Sequence, residues 1–178
     1  MSMHLILTDD FETVKAGYID VINNTPGVPD HCRWEYGKHP SDEDLRGYIE
    51  RGEMYVLTDK ETVAGMVAIS MYQGPDYEAI DWEKKLANDE VAVLHLLAVL
   101  PAFQGQKLGQ VIIKEALDIA RKNGKQALRL DTLKTNIPAQ HMYQTAGFSF
   151  RGEQSLLLEE RGWFDFMYYE KIPDRGEV

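Results

Sequence analysis

Cysteine is almost missing. Cys32 is the one thiol in 178 residues, so no intrachain disulfide can form and nothing in the composition asks for an oxidising compartment. Long apolar runs are missing too. The opening MSMHLILTDDFE has no basic start and only a few apolar residues before two aspartates. That is too short for a signal peptide, and no later run is long enough to cross a bilayer. A cytoplasmic protein with no membrane partner is expected. Positive charge is also scarce: 19 Lys and Arg stand against 29 Asp and Glu, a net charge of −10. Nucleic acid is therefore not an expected partner, because phosphate contacts demand a basic face. The five histidines (His4, His31, His39, His95 and His141) form no ligand-spaced cluster with cysteine or glutamate, and no metal is expected. Repeats, low-complexity tracts and dividing linkers are absent, so residues 1–178 read as one domain.

What is present is an ordinary globular composition, 44% hydrophobic and 27% charged, with its charge unevenly placed. Between Gln104 and Lys134 seven basic residues face three acidic ones. This is either a helix with a solvated basic face or one anion site in an acidic protein. Residues 4–7 read as a strand, and Thr8, Asp9 and Asp10 mark a helix start behind it. Val14, Tyr18, Val21 and Ile22 recur at helical spacing. Residues 23–40, with three prolines, read as a loop, and Ser41 opens a second helix through about Arg51. Residues 54–58 and 62–71 form a hairpin about the turn 59–61. After Gly74-Pro75, residues 77–87 read as a short helix, and 90–100 as a buried central strand ended by Pro101. A helix over 108–123, a strand over 127–132, a helix over 138–146 and strands over 148–154 and 164–171 complete the order β-α-α-β-β-β-α-β-α-β-β, a mixed α/β sheet flanked by helices.

The most informative stretch is VAVLHLLAVLPAFQGQKLGQVIIKEAL. A buried strand, a polar glycine-containing loop and a helix start in that order make an anion site, because first-turn N–H groups have no partner inside the helix. Gly105 and Gly109 let a ligand approach the backbone. A Walker loop needs Gly-Lys-Ser/Thr and a dinucleotide fingerprint needs GxGxxG; neither is present.

Gln104-Gly105-Gln106-Lys107-Leu108-Gly109 resembles the Gln/Arg-x-x-Gly-x-Gly/Ala loop of the GNAT superfamily of acyl-CoA-dependent N-acetyltransferases, matching at Gln104 and Gly109, with Lys107 where the inner glycine is usual. Leu97-Ala98-Val99-Leu100-Pro101 is similar to the family's fourth strand. Asn136-Ile137-Pro138-Ala139-Gln140-His141-Met142-Tyr143, followed by Gly147-Phe148, resembles its Asn-x-x-Ala-x-x-Leu-Tyr-x-x-x-Gly-Phe block, with Met142 for Leu. The closing Phe166-Met167-Tyr168-Tyr169-Glu170-Lys171 is similar to its last strand. The resemblance implies a GNAT-like, mostly antiparallel sheet and transfer of an acetyl group from acetyl-CoA directly to a primary amine, on a small molecule or a protein. It also implies that Gln104, Gly105, Gln106, Lys107, Leu108, Gly109 and Gln110 hold the pyrophosphate and that Leu97, Ala98 and Val99 bond the pantetheine arm. A homodimer is a further implication, since many relatives are dimers. The rival expectation is a non-catalytic acyl-CoA-binding or sensing module on the same fold. Its support is Val93, at the position where some members carry a glutamate base.

Individual residues carry two readings each. Tyr143 is either a core tyrosine or, as the resemblance implies, the proton donor to the departing thiolate. Asn136 caps the following helix, touches the ligand, or does both. His95, two residues after Val93, titrates near neutrality and is a base candidate or a buried histidine in a hydrogen-bond network. Glu90, at the strand's start, is the other candidate base or a solvated strand end. Cys32 could invite an acetyl-cysteine intermediate, but no second nucleophile signal accompanies it. Trp34, Tyr36, Tyr72, Tyr77 and Trp82 fall in two loop regions, where they line a pocket or anchor the loops. The acidic remainder favours a cationic acceptor such as a polyamine, an aminoglycoside or an exposed protein amine.

Overall fold

In the computed structural model, which describes residues 2–174, helix α1 (Phe11–Asn24) begins where its cap is encoded. Asp10 accepts the backbone N–H of Thr13 at 3.0 Å. Helix α3 (Asp42–Glu50) begins likewise at Ser41, in a capping box closed reciprocally with Asp44. The chain divides into two compact units, one of Met1–Ile69 and His95–Ala116, the other of Ser70–Leu94 and Leu117–Val178.

In the first unit, strands β1 (His4–Leu7), β2 (Met54–Thr58), β3 (Val63–Ser70) and the end of β4 (Val91–Val99) lie in that order. The β1–β2 and β2–β3 pairs are antiparallel. Val14, Tyr18 and Val21 of α1 and Leu45 of α3 pack with Met54, Met66 and Ala68 of the strands in one buried cluster. Gly65 is required where β3 meets β4, since a Cβ there would stand 2.7 Å from the carbonyl oxygen of Ala98. The expected loop over 23–40 contains one extra helical turn, α2 (Val28–His31), started by Gly27 in the left-handed region with Pro29 in its first turn.

In the second unit, the start of β4 runs parallel to β5 (Ala127–Leu133), from Val91↔Ala127 to Leu94↔Leu130. β5 pairs antiparallel with β7 (Gly162–Lys171), and β7 with β6 (Ser149–Leu158). Helix α4 (Leu108–Lys122) begins in the first unit and ends in the second, with Ile112, Ala116 and Ala120 fully buried along its stripe. Helix α5 (Ile137–Thr145) precedes β6. The architecture is the expected mostly antiparallel mixed α/β sheet. β6 and β7 reach further than expected, as a long hairpin turned by Glu160 and Gly162 at positive φ.

The helix expected over 77–87 is not formed; only 3-10 turns at Pro75–Ala79 and Asn88–Glu90 are present. Backbone groups that a helix would consume go to tertiary partners. Trp82 Nε1 donates to the carbonyl of Tyr77 at 2.7 Å, Glu83 N–H to Glu170 Oε1 at 2.9 Å, and Arg129 Nη2 to the carbonyl of Lys84 at 2.7 Å. Arg129, the largest fully buried side chain, also bonds Glu170 at 2.8 Å through Nε and Gln73 at 2.7 Å through Nη1, and its guanidinium lies 4.1 Å from the Trp82 ring centroid. Burial pulls the guanidinium below its ordinary value and Glu170 opposes that. Arg129→Met leaves the Glu170 carboxylate buried without its cation, a change that costs about 3–5 kcal/mol. Urea denaturation should show that loss as a lower midpoint; a midpoint within experimental scatter of wild type would mean the pair carries no such weight.

Candidate active site

Leu96, in the middle of β4, has φ +54°, a region that L-residues with bulky side chains rarely enter. Tyr18 of α1 holds it there, its hydroxyl donating to the Leu96 carbonyl at 2.7 Å. Burial, with Tyr48 nearby adding to it, keeps that phenol protonated far above the usual tyrosine range, and the Trp34 ring packs edge-on against Tyr18 at 5.8 Å. A turned residue inside a strand re-aims the peptide groups that follow it, here those of Leu97, Ala98 and Val99.

The chain then enters the loop. Gln104 is a strut: its Nε2 donates to the Val99 carbonyl at 3.0 Å and to Thr25 Oγ1 at 2.8 Å. Gly105 and Lys107 take φ of +78° and +59°, and α4 starts at Leu108. Lys107, where the family usually has glycine, thus adopts a glycine-like backbone at a cost of about 1–2 kcal/mol. Gln104, Gly105, Gln106 and Lys107 are exposed and Gly109 is buried. First-turn N–H groups of a helix lack the usual acceptor one turn back; here Gln110 N–H donates to the Lys107 carbonyl at 3.0 Å, and a helix start of this kind suits a phosphate without needing a side-chain charge.

His95 also belongs to the first unit and is half-buried, its ring 5.5 Å from that of Tyr48 on α3. The Arg51 guanidinium lies 5.0 Å from the same tyrosine ring and is bonded at 2.9 Å to Glu53, whose side chain is 7% exposed. Tyr48, Arg51 and Glu53 were not legible as site neighbours in the sequence. Tyr48 sits at a helix position that reads as core, and the pairing of Arg51 with Glu53 depends on the tight turn at Gly52.

Three candidates lie in the second unit. Tyr143 on α5 is buried, its ring 5.8 Å from Phe148 and 6.3 Å from Tyr169. Asn136 caps α5, its Oδ1 accepting from Ala139 N–H at 3.3 Å. Glu90 accepts from Ala87 N–H at 2.8 Å and from Gln126 Nε2 at 2.7 Å, bonds that tie its carboxylate to the start of the strand. Among the loop aromatics, Tyr77 and Trp82 are buried anchors stacked at 5.7 Å. Trp34 packs on Tyr18, Tyr36 bonds Asp42 at 2.7 Å, and Tyr72 is exposed.

The basic stretch is largely spent on protein partners. Arg129 is paired with Glu170, Lys134 with Glu153 at 2.8 Å and Arg121 with Asp118 at 3.7 Å, and Lys125 donates to the Asp89 carbonyl at 2.5 Å. Lys107 and Lys114, on the loop and on α4, are exposed. Among the described residues no group of three His, Cys, Asp or Glu is placed to hold a metal ion, and no helix is long and apolar enough to cross a membrane.

Residues 21–148 match the profile of the acetyltransferase (GNAT) family. The chain belongs to this family. It is 30% identical over 125 residues to a streptothricin acetyltransferase of Streptomyces lavendulae, an overlap of 70% of this chain and 56% of that one. The chain spans a little over half the length of the curated relatives it matches. A Salmonella typhimurium protein described as an acetyltransferase and solved with its cofactor acetyl-CoA superposes with a TM-score of 0.68 at 16% identity, over 100% of this chain and 98% of that one. A GNAT-family acetyltransferase of Streptococcus agalactiae superposes with a TM-score of 0.72 at 18% identity, over 96% and 95%. The GNAT fold is thus shared along nearly the whole chain.

Cys32 is packed against the first unit's core, and burial pushes its thiol up to about 11. At pH 8 only about one thiol in a thousand is then thiolate. Native protein should therefore react with a disulfide reagent at pH 8 far more slowly than denatured protein; equal rates would show the thiol to be open.

Proposed function

We propose that this chain is an N-acetyltransferase that moves the acetyl group of acetyl-CoA directly to a primary amine, and that the family match from residue 21 to 148, which draws on both units, marks one catalytic domain. The observation that carries the reading is the 104–110 loop. It resembles the family's pyrophosphate loop at Gln104 and Gly109, with Gly105 and Lys107 in the left-handed region and a helix starting behind them. Gln104, Gly105, Gln106, Lys107, Leu108, Gly109 and Gln110 would hold the pyrophosphate, the residues from Gly105 to Gly109 through backbone N–H groups and Gln104 and Gln110 by shaping the loop, since their own N–H groups donate to the carbonyls of Pro101 and Lys107. Leu97, Ala98 and Val99, re-aimed by the turn at Leu96, would bond the pantetheine arm, with an N–H near Leu97 placed for the thioester oxygen. Acetyl-CoA supplies the activated acetyl thioester.

On the protein side two proton positions matter. An acceptor ammonium must lose a proton before its nitrogen can attack. We assign that step to His95, directly or through a water, ahead of Glu90, whose carboxylate already takes two bonds. The thiolate that departs needs a proton or a hydrogen bond, and Tyr143 is the donor. Asn136 supports the ligand through α5, whose start it caps. The half-buried, protonated Cys32 speaks for direct transfer over an acetyl-cysteine route, and a thiol without a disulfide suits a cytoplasmic setting. Streptothricin, named for the Streptomyces relative, heads the acceptors to test, with polyamines, aminoglycosides and protein amines after it.

Gly109→Glu adds a side chain and a negative charge at the buried start of α4 and should nearly abolish CoA binding in calorimetry. Unchanged affinity in folded protein would remove the loop from the cofactor site. CoA binding without transfer to any amine would leave the sensing module as the better description.

Tyr143→Phe keeps the ring among Phe148 and Tyr169 and should lower kcat about 10²-fold with little change in acetyl-CoA affinity. His95→Gln should erase the acidic limb of the kcat/KM–pH profile. A limb that survives there and vanishes in Glu90→Gln would transfer the role to Glu90.

A further inference from the structure

β4 and β5 form a parallel pair, and the carboxyl ends of parallel strands are where open α/β sheets seat their ligands. The β4–β5 ladder ends at Leu94↔Leu130. The next residue of β5 is Asp131, half-buried and directly opposite Tyr168 in the β5–β7 register. The Tyr77 hydroxyl donates to Asp131 Oδ1 at 2.5 Å. That donor is rigid. The Tyr77 ring is 3% exposed, stacks on Trp82 and meets the Tyr168 ring edge-on at 5.2 Å. The Tyr168 hydroxyl is fixed in turn, accepting from Gln154 Nε2 at 2.7 Å.

The chemistry of this arrangement is specific. A neutral phenol orients a carboxylate without cancelling its charge, and a carboxylate has about four acceptor positions, so it can take further donors besides Tyr77. Two residues back, Arg129 is committed to Glu170. An ammonium is the ligand group that this carboxylate fits, and a chain of net charge −10 concentrates cations around itself.

We propose that Asp131, oriented by Tyr77, is a specificity-determining residue that receives a positively charged group of the acceptor, so that the protein selects amines carrying a second ammonium besides the one acetylated. The proposal rests on the acetyl-transfer reading. The probes are 1,4-diaminobutane and butylamine, equal in chain length and differing in the second charge, assayed for acetylation at saturating acetyl-CoA with CoA affinity measured in parallel by calorimetry. Wild type should favour the diamine in kcat/KM by about tenfold or more. Asp131→Asn should collapse that ratio through the KM of the diamine. Tyr77→Phe, which keeps every ring in place, should lower the ratio part-way and serves where Asp131→Asn does not fold. A ratio near one in wild type, a ratio unmoved by both variants, or no acetylation of either amine overturns the proposal. So does a fall confined to kcat and equal for the two amines, because that places Asp131 in the chemical step. Acetylation of butylamine with no diamine preference overturns this inference alone. A wild-type protein that fails to bind CoA overturns the acetyl-transfer reading beneath it.

Discussion

A guanidinium with no exposed surface can persist only if every donor finds a partner, and the second unit is arranged to meet that demand at Arg129. Glu170 stands opposite it in the β5–β7 register, Gln73 and the Lys84 carbonyl reach it from the segment before β4, and Trp82 covers its face. These partners fix the 70–90 segment, which has few regular backbone bonds of its own. The same register then sets Asp131 opposite Tyr168, two residues on, and the pinned segment delivers Tyr77 to it. The buried ion pair is weak evidence for stability in itself, since two charges had to leave water. Its effect is specificity, because a single register satisfies it.

The first unit has a smaller device of the same kind. One buried phenol, Tyr18, accepts the cost of leaving water in exchange for the carbonyl that Leu96 presents from the left-handed region. The strand turned at Leu96, the strut of Gln104 on Val99 and the left-handed residues Gly105 and Lys107 follow one another along a dozen residues. Each removes freedom from the peptide groups that the proposed site uses. Preorganised donors of this sort lose little on binding, because the folded chain has already ordered them.

Much of this was legible in the sequence, and the division is physical. Local signals survived: Asp10 and Ser41 cap the helices they announce, Asn136 caps α5, and the apolar run after Glu90 is the buried β4. Motif order along the chain placed the 104–110 loop at the start of α4, and the coarse element order is the GNAT one. What failed was non-local. Residues 77–87 have helical composition, yet their backbone groups bond Glu170 and Arg129, which lie 87 and 45 residues away. Arg129 itself read as part of a basic face because its partner is 41 residues away on another strand. The hydrophobic period of two through β4 gave no hint of the turn at Leu96, since φ is not written in side-chain polarity.

The charge distribution then takes on a different meaning from the one composition suggested. The basic stretch between Gln104 and Lys134 is not a reservoir of free cations. Four of its seven members are engaged by Glu170, Glu153, Asp118 and the Asp89 carbonyl. In the proposed transfer a polyanionic cofactor would then draw chiefly on backbone N–H groups at the start of α4, fixed partial charges that act over one helical turn. The surrounding negative field is long-ranged by comparison and works on the other reactant, raising the local concentration of cationic amines. Short-range dipoles for the anion and a long-range field for the cation can coexist because they act on different length scales. An overall charge of −10 is therefore compatible with recognising both reactants of the proposed transfer.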